Sequence, residues 1–245
     1  IPSHFEKISK IQSLNFAESA WNSNQSLFFL IKLLKEGHKP DFVIFYNGVN
    51  ELSKCNTENL YNLRSNVIQE DRLRKKFVTL RDTSKLTFDY YFSIPIEFFS
   101  KLKNKIYRSN EIKNLPILNQ KAGCKDLKKT DKIAENVLQN WVLANKLVSD
   151  YGGKFFAILE PHIIFNNSEI YDLNLMGLNT EQKENIENVY SVLEQKMVNK
   201  KFFLNFKNIF SSYYNDFIFI DTHHTSPNGN IIVAKEIYKE LKNRL

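Results

Sequence analysis

Three short apolar runs, each closing on polar residues, constrain this chain more than any other feature. They are Asp41–Tyr46 (DFVIFY), Lys154–Leu159 (KFFAIL) and Phe217–Ile220 (FIFI). Short apolar runs without polar alternation are the pattern of strands buried on both faces, which is the pattern of a parallel sheet. A fourth run, Ile11–Phe16, is read the same way. Between the runs lie segments with helical period and good end signals. Ser23 is read as the cap of a helix through Leu27, Leu30, Ile31 and Leu34, closed by Gly37 and stopped by Pro40. Thr130 opens a second, with Ile133, Val137, Trp141 and Val148 on one stripe, ending at Gly152-Gly153. Thr180 precedes a third, with Ile186, Val189, Leu193 and Met197. Ser226 caps the last, and Pro227 takes its first position, where a missing N–H costs nothing. Strands alternating with helices predict an α/β fold, and right-handed crossovers put helices on both faces of its parallel sheet.

Residues from about 52 to 129 break this rhythm and are read as a mainly helical insertion on top of the sheet. Its aromatic-rich stretch Phe88–Tyr107 is expected to cover part of a cleft or to form a subunit contact, because so many exposed aromatics would otherwise favour aggregation. Within it, Phe98, Phe99, Leu102 and Ile106 with Lys101, Lys103 and Lys105 form a basic amphipathic helix, read as core or lid before membrane anchor.

At 245 residues the chain is long enough for one sizeable core, and it is read as a single domain. No apolar run reaches the ~18 residues of a membrane span. The 34 Lys and Arg outnumber the 27 Asp and Glu, for a net charge of +7, but the lysines are scattered along predicted helix faces. Scattered lysines read as solvated surface, so no nucleic-acid partner is expected. Cys55 and Cys124 supply neither four zinc ligands nor a CxxC pair, and are read as free thiols or as a pair across the insertion. Nothing in the sequence names a compartment.

Ligands of an open parallel sheet bind beyond the carboxyl ends of its strands. Three polar clusters stand at such ends: Asn15–Ser23, Asn47–Glu51 and Asp221–His224. Acyl transfer needs a base for the nucleophile's proton, a group to orient the base, and donors for the oxyanion. An aspartate and a histidine three apart on one loop suit the first two tasks, so Asp221 orients and His224 is the base. The Asn50 amide suits the third. Each signal has a plainer reading, since Asn-Gly-x-Asn favours turns and lone histidines are common on surfaces. The side chains of His223 and His224 are expected to diverge with no third ligand in register, so no metal is expected. Glu160-Pro161-His162 is read as a turn closing its strand, with substrate contact as the alternative.

In this order, each after a strand, the clusters resemble the SGNH/GDSL hydrolase family. NGVNE (Asn47–Glu51) looks like its G-x-N-D block, which makes Asn50 the side-chain oxyanion donor. DTHHTSPNGN (Asp221–Asn230) looks like its closing D-x-x-H block, which makes Asp221 and His224 the acid and base of a triad. NFAESAWNSNQSL (Asn15–Leu27) looks like the block whose glycine N–H completes the oxyanion hole, and Ala20 stands at that glycine. An alanine N–H serves there at negative φ and fails if φ must be positive. Glu51 replaces an aspartate that braces the loop. Gly48 and His223 are read as substrate contacts.

The resemblance implies a flavodoxin-like three-layer α/β/α sandwich. It also implies a cofactor-free Ser-His-Asp hydrolase or acyl transferase, acting on an acylated carbohydrate, lipid or similar small ester. The alternative is a non-catalytic SGNH-like binding protein or a truncated remnant of the enzyme, and a homo-oligomer fits either. The family's serine lies in a GDS or GGS motif on a first strand, before a helix. Ile1-Pro2-Ser3-His4-Phe5 reads as the start of that helix, with Phe5, Ile8 and Ile11 apolar, so Ser3 is rejected as nucleophile. The serine is therefore expected upstream of Ile1. Without that first strand, Ile11–Phe16 would pair with Asp41–Tyr46, or another chain would fill the gap.

Overall fold

The computed structural model describes residues 1–18, 20–52, 60–63, 126–166, 171, 178–213 and 216–244. Most of the expected insertion lies outside these residues, including Cys55, Cys124 and Phe88–Tyr107. The elements run α1 (Pro2–Ser9), α2 (Ser23–Lys35), β1 (Phe42–Asn47), α3 (Val49–Leu52), α4 (Leu127–Asp150), β2 (Lys154–Leu159), α5 (Thr180–Met197), β3 (Phe203–Asn205) and α6 (Pro227–Lys242). The fold is α/β. The three strands form a parallel sheet in the order β1-β2-β3.

Capping side chains fix where the helices begin. Asn22 and Asn179 each close a reciprocal capping box, with Gln25 and Gln182 as partners. Asp126 caps α4 through the Lys128 N–H, and Ser226 caps α6 through the Gly229 N–H. Helices α2, α4 and α5 therefore start from Asn22, Asp126 and Asn179, one to four residues ahead of the serine and threonine caps read from the sequence. Thr130 itself is fully buried inside α4. The stripe expected on α4 is the buried one, with Ile133, Val137, Trp141 and Val148 all in the core.

Neighbouring residues of a strand face opposite sides of the sheet. Arg244, just past α6, lies over Phe156, and α6 also packs on α1. The next residue along, Ala157, pairs with Phe203, whose ring stacks on Trp141 of α4. Helices thus cover both faces: α1 and α6 on one, α4 with its partners α2 and α5 on the other. The starts of β1 and β2 are locked in step by tight contact. Lys154 N donates to the Asp41 carbonyl at 2.8 Å, and a Cβ on Gly153 would lie 2.3 Å from the Pro40 carbonyl.

Two expected strands are absent among the described residues, for local reasons. Ile11–Phe16 makes no ladder: Ser9 Oγ takes the Ile11 N–H, Asn15 Oδ1 takes the Ala17 N–H, and Leu14 is 66% exposed. Short polar side chains that bond their own backbone compete with strand pairing. Pairing of this segment with β1 is thereby excluded. Phe217–Ile220 forms only a single antiparallel bridge, Phe219 to Thr225. Its backbone groups are taken by other partners. Ser226 N–H and Oγ–H reach the Ile218 and Phe217 carbonyls, and Ile220 N–H reaches the His224 carbonyl. The Tyr171 hydroxyl both donates to the Phe219 carbonyl (3.0 Å) and accepts from its N–H (2.7 Å). The strand missing from the sequence reading is β3, whose three residues sit between Lys201 and Phe206 and are too few to show a pattern.

Candidate functional site

The last loop turns so tightly before α6 that Asp221 becomes its hub. Its Oδ1 accepts the N–H groups of His223 (2.9 Å) and His224 (2.7 Å), and its Oδ2 lies 2.5 Å from His224 Nδ1. Burial raises the Asp221 pKa, but the two N–H groups and the His224 ring outweigh it and hold the carboxyl at about 2. With Nδ1 committed to an ionised carboxylate, Nε2 is the basic nitrogen of His224. Its side chain is 62% exposed.

His223 does not diverge from His224 as the sequence reading expected. Their ring centroids lie 4.2 Å apart, and one ligand atom from each of Asp221, His223 and His224 falls within a 4.8 Å cluster. The tight loop turns the two rings together, which overturns the physical reason for dismissing a metal. The separations argue another way: two ligands of one tetrahedral ion of this type sit roughly 3.3 Å apart. The 2.5 Å between Asp221 and His224 is hydrogen-bond distance.

At the end of β1, Gly48 turns the chain into α3 at φ 152°. A Cβ there would meet Leu159 Cδ1 at 3.0 Å and the Tyr190 hydroxyl at 3.3 Å, so the side of Gly48 that lacks a side chain faces the interior. The Asn50 amide donates to the Trp21 carbonyl at 2.8 Å, which brings two of the predicted clusters together. Ala20, next to Trp21, has φ 62°. This is the left-handed region that glycine favours, and the sequence reading had made negative φ the condition for alanine at this position. An L-residue there carries about 1–2 kcal/mol of strain.

Two carboxyl groups brace this half. Glu51 Oε1 accepts the Ser23 N–H at the start of α2, and Glu160 Oε1 accepts the Val49 N–H at 2.5 Å. Burial pushes their pKa values up, to about 7 for Glu51 and about 8 for Glu160, against the hydrogen bonds that favour ionisation. A groove of about 670 Å³ runs along α2, lined by Trp21, Phe28, Phe29, Lys32, Asn62 and Leu63 among others.

The segment after β2 joins the two halves. On one side Glu160 holds Val49. On the other, Ile163 N–H donates to the Thr222 carbonyl at 3.3 Å, and the buried His162 ring stacks parallel to His223 at 6.4 Å. Burial and the neighbouring His223 hold the His162 pKa down to about 3, against an upward pull from Asp221, so this ring is neutral. Its Nδ1 accepts the Ile164 N–H. Reading Glu160-Pro161-His162 as a mere turn missed this bridging role. The available signal was a buried-type carboxyl directly after a central strand. Among the described residues no serine hydroxyl is hydrogen-bonded to His224, and Ser3 lies exposed on α1. The chain matches no protein-family model, no curated protein and no solved structure.

Proposed function

We propose that this chain carries the acid, base and oxyanion donors of an SGNH-type ester hydrolase or acyl transferase. One observation carries the reading. Asp221 and His224 form a carboxylate–imidazole pair at 2.5 Å on a loop docked against the same sheet end that presents Asn50. His224 Nε2 would take the nucleophile's proton and return it to the leaving alcohol, while Asp221 fixes the ring tautomer and stabilises its cation. The Asn50 side-chain amide and, despite its positive φ, the Ala20 N–H would receive the oxyanion. Gly48 shapes the donor turn, and His223 lines the base side as a substrate contact. The substrate class is an acylated carbohydrate, lipid or similar small ester, and no cofactor takes part in the steps.

The nucleophile in this reading is a serine whose hydroxyl reaches His224 Nε2. A form of the protein extended to include such a serine is expected to hydrolyse p-nitrophenyl acetate. In the extended form His224→Ala should lower kcat by roughly a thousandfold or more. Turnover that survives the substitution overturns the assigned base. The absence of a serine on His224 among the described residues favours a second reading, a non-catalytic SGNH-like binding protein; failure of the extended form to turn over any ester would select it.

A further inference from the structure

We propose that Glu160 is a positioning residue whose carboxyl clamps the turn presenting Asn50, and that Glu51 completes the clamp from the other side. The word "positioning" rests on the function proposed above; the clamp itself rests on geometry. Val49 and Glu51 flank Asn50, and both are tied across long stretches of chain. Val49 N–H is held by Glu160 at the end of β2, and Glu51 Oε1 holds the Ser23 N–H beside the Ala20-Trp21 turn. Between them, the Asn50 amide bonds the Trp21 carbonyl at 2.8 Å. Beneath, Tyr190 of α5 donates its hydroxyl to the Glu160 carbonyl at 3.1 Å, and the Cγ of Glu160 would be 3.4 Å from a Cβ on Gly48. The N–H groups of Val49 and Ser23 are thus each held by one of two carboxyls.

Chemistry explains why the carboxyls should be neutral. An ionised group under the donors would oppose the negative charge that develops on an oxyanion. The surroundings favour the neutral form. Tyr46 from β1, Tyr190 from α5 and Glu51 from α3 all face Glu160, and the next charged group on α5, Glu194, is already engaged by Lys207 at 2.5 Å. Burial, with the neighbouring Glu51 second, keeps a proton on Glu160 to about pH 8, and burial alone keeps one on Glu51 to about pH 7.

The test follows backbone amide resonances of Val49 and Ser23 by NMR from pH 5 to pH 10. The Val49 amide should titrate with a midpoint near 8 in the native chain and show no titration in Glu160→Gln, which keeps a neutral acceptor. In Glu160→Ala its hydrogen exchange should accelerate tenfold or more, and the Asn50 side-chain amide signals should move with it. A Val49 titration that persists in Glu160→Gln, or is missing from the native chain, overturns the proposal even if Glu160→Ala fails to fold. If an extended form hydrolyses esters, its kcat should decline above pH 8 with KM constant, and Glu160→Gln should remove that decline. If the titration follows expectation but no form hydrolyses esters, the clamp stands and the esterase reading falls.

Discussion

The two halves of the candidate site hold carboxyl groups in opposite charge states by opposite means. Asp221 sits on a half-exposed loop, where two N–H groups and an imidazole hold it ionised with a pKa of about 2. Glu160 and Glu51 lie in the buried half, where lost hydration outweighs the hydrogen bonds they receive, and they stay protonated to about pH 8 and 7. The balance of hydrogens aimed at a carboxyl against water removed decides its charge, not the residue type. On the proposed reading the charge lies where it helps. Negative charge stands beside the base that becomes a cation, and is kept from the donors that would meet an anion.

The comparison is broken most decisively through the pH dependence of stability. Glu160 has a folded pKa of about 8 against 4.5 in a solvated reference. A raised carboxyl pKa leaves stability complete below pH 4.5 and lost progressively as pH rises to 8, on the order of 4 kcal/mol if Glu160 acts alone. Urea denaturation at pH 5 and pH 9 should show this fall, and Glu160→Gln should flatten much of it. Equal stability of the native chain at both pH values would mean that the buried half holds its carboxyls ionised, like the exposed half.

A somewhat smaller effect sharpens the acid side. His162 is neutral in the fold, at about 3 against 6.5, so stability should fall as pH drops from 6.5 toward 3. Between pH 6.5 and 4 this amounts to about 3 kcal/mol. His162→Gln, which can still accept the Ile164 N–H, should reduce that acid loss in a denaturation series. An unchanged acid slope would shift the responsibility to the exposed loop. The smallest expected effect concerns strain. Ala20→Gly should raise stability by up to about 1 kcal/mol in thermal melts, by relieving φ 62° at that position. A loss of stability would show that Ala20 sits there without strain.

The parts legible in the sequence were those whose causes are local. Ser226 followed by Pro227 announced α6, and the stripe Ile133, Val137, Trp141 and Val148 announced the buried face of α4. The Asp221–His224 pair was readable because three residues on one loop bring it together. Glu160 was not readable, because its partner Val49 lies 111 positions away and only the sheet register joins them. Phe217–Ile220 carries the composition of a strand, yet its hydrogen bonds go to Ser226 and Tyr171. Composition reports which side chains are buried; it does not report who takes the backbone's hydrogens.

The Tyr171 hydroxyl has an evolutionary consequence. One oxygen there stands in for a whole neighbouring strand, serving both the donor and the acceptor of Phe219. Phenylalanine fills the same volume but abandons both backbone groups at once. Descendants of this sequence can lose the tyrosine only if a true partner strand arrives beside Phe219 first, or if the loop bearing Asp221 and His224 is rebuilt. In related sequences, tyrosine at this position and an unpaired run before the D-x-x-H loop should therefore come and go together.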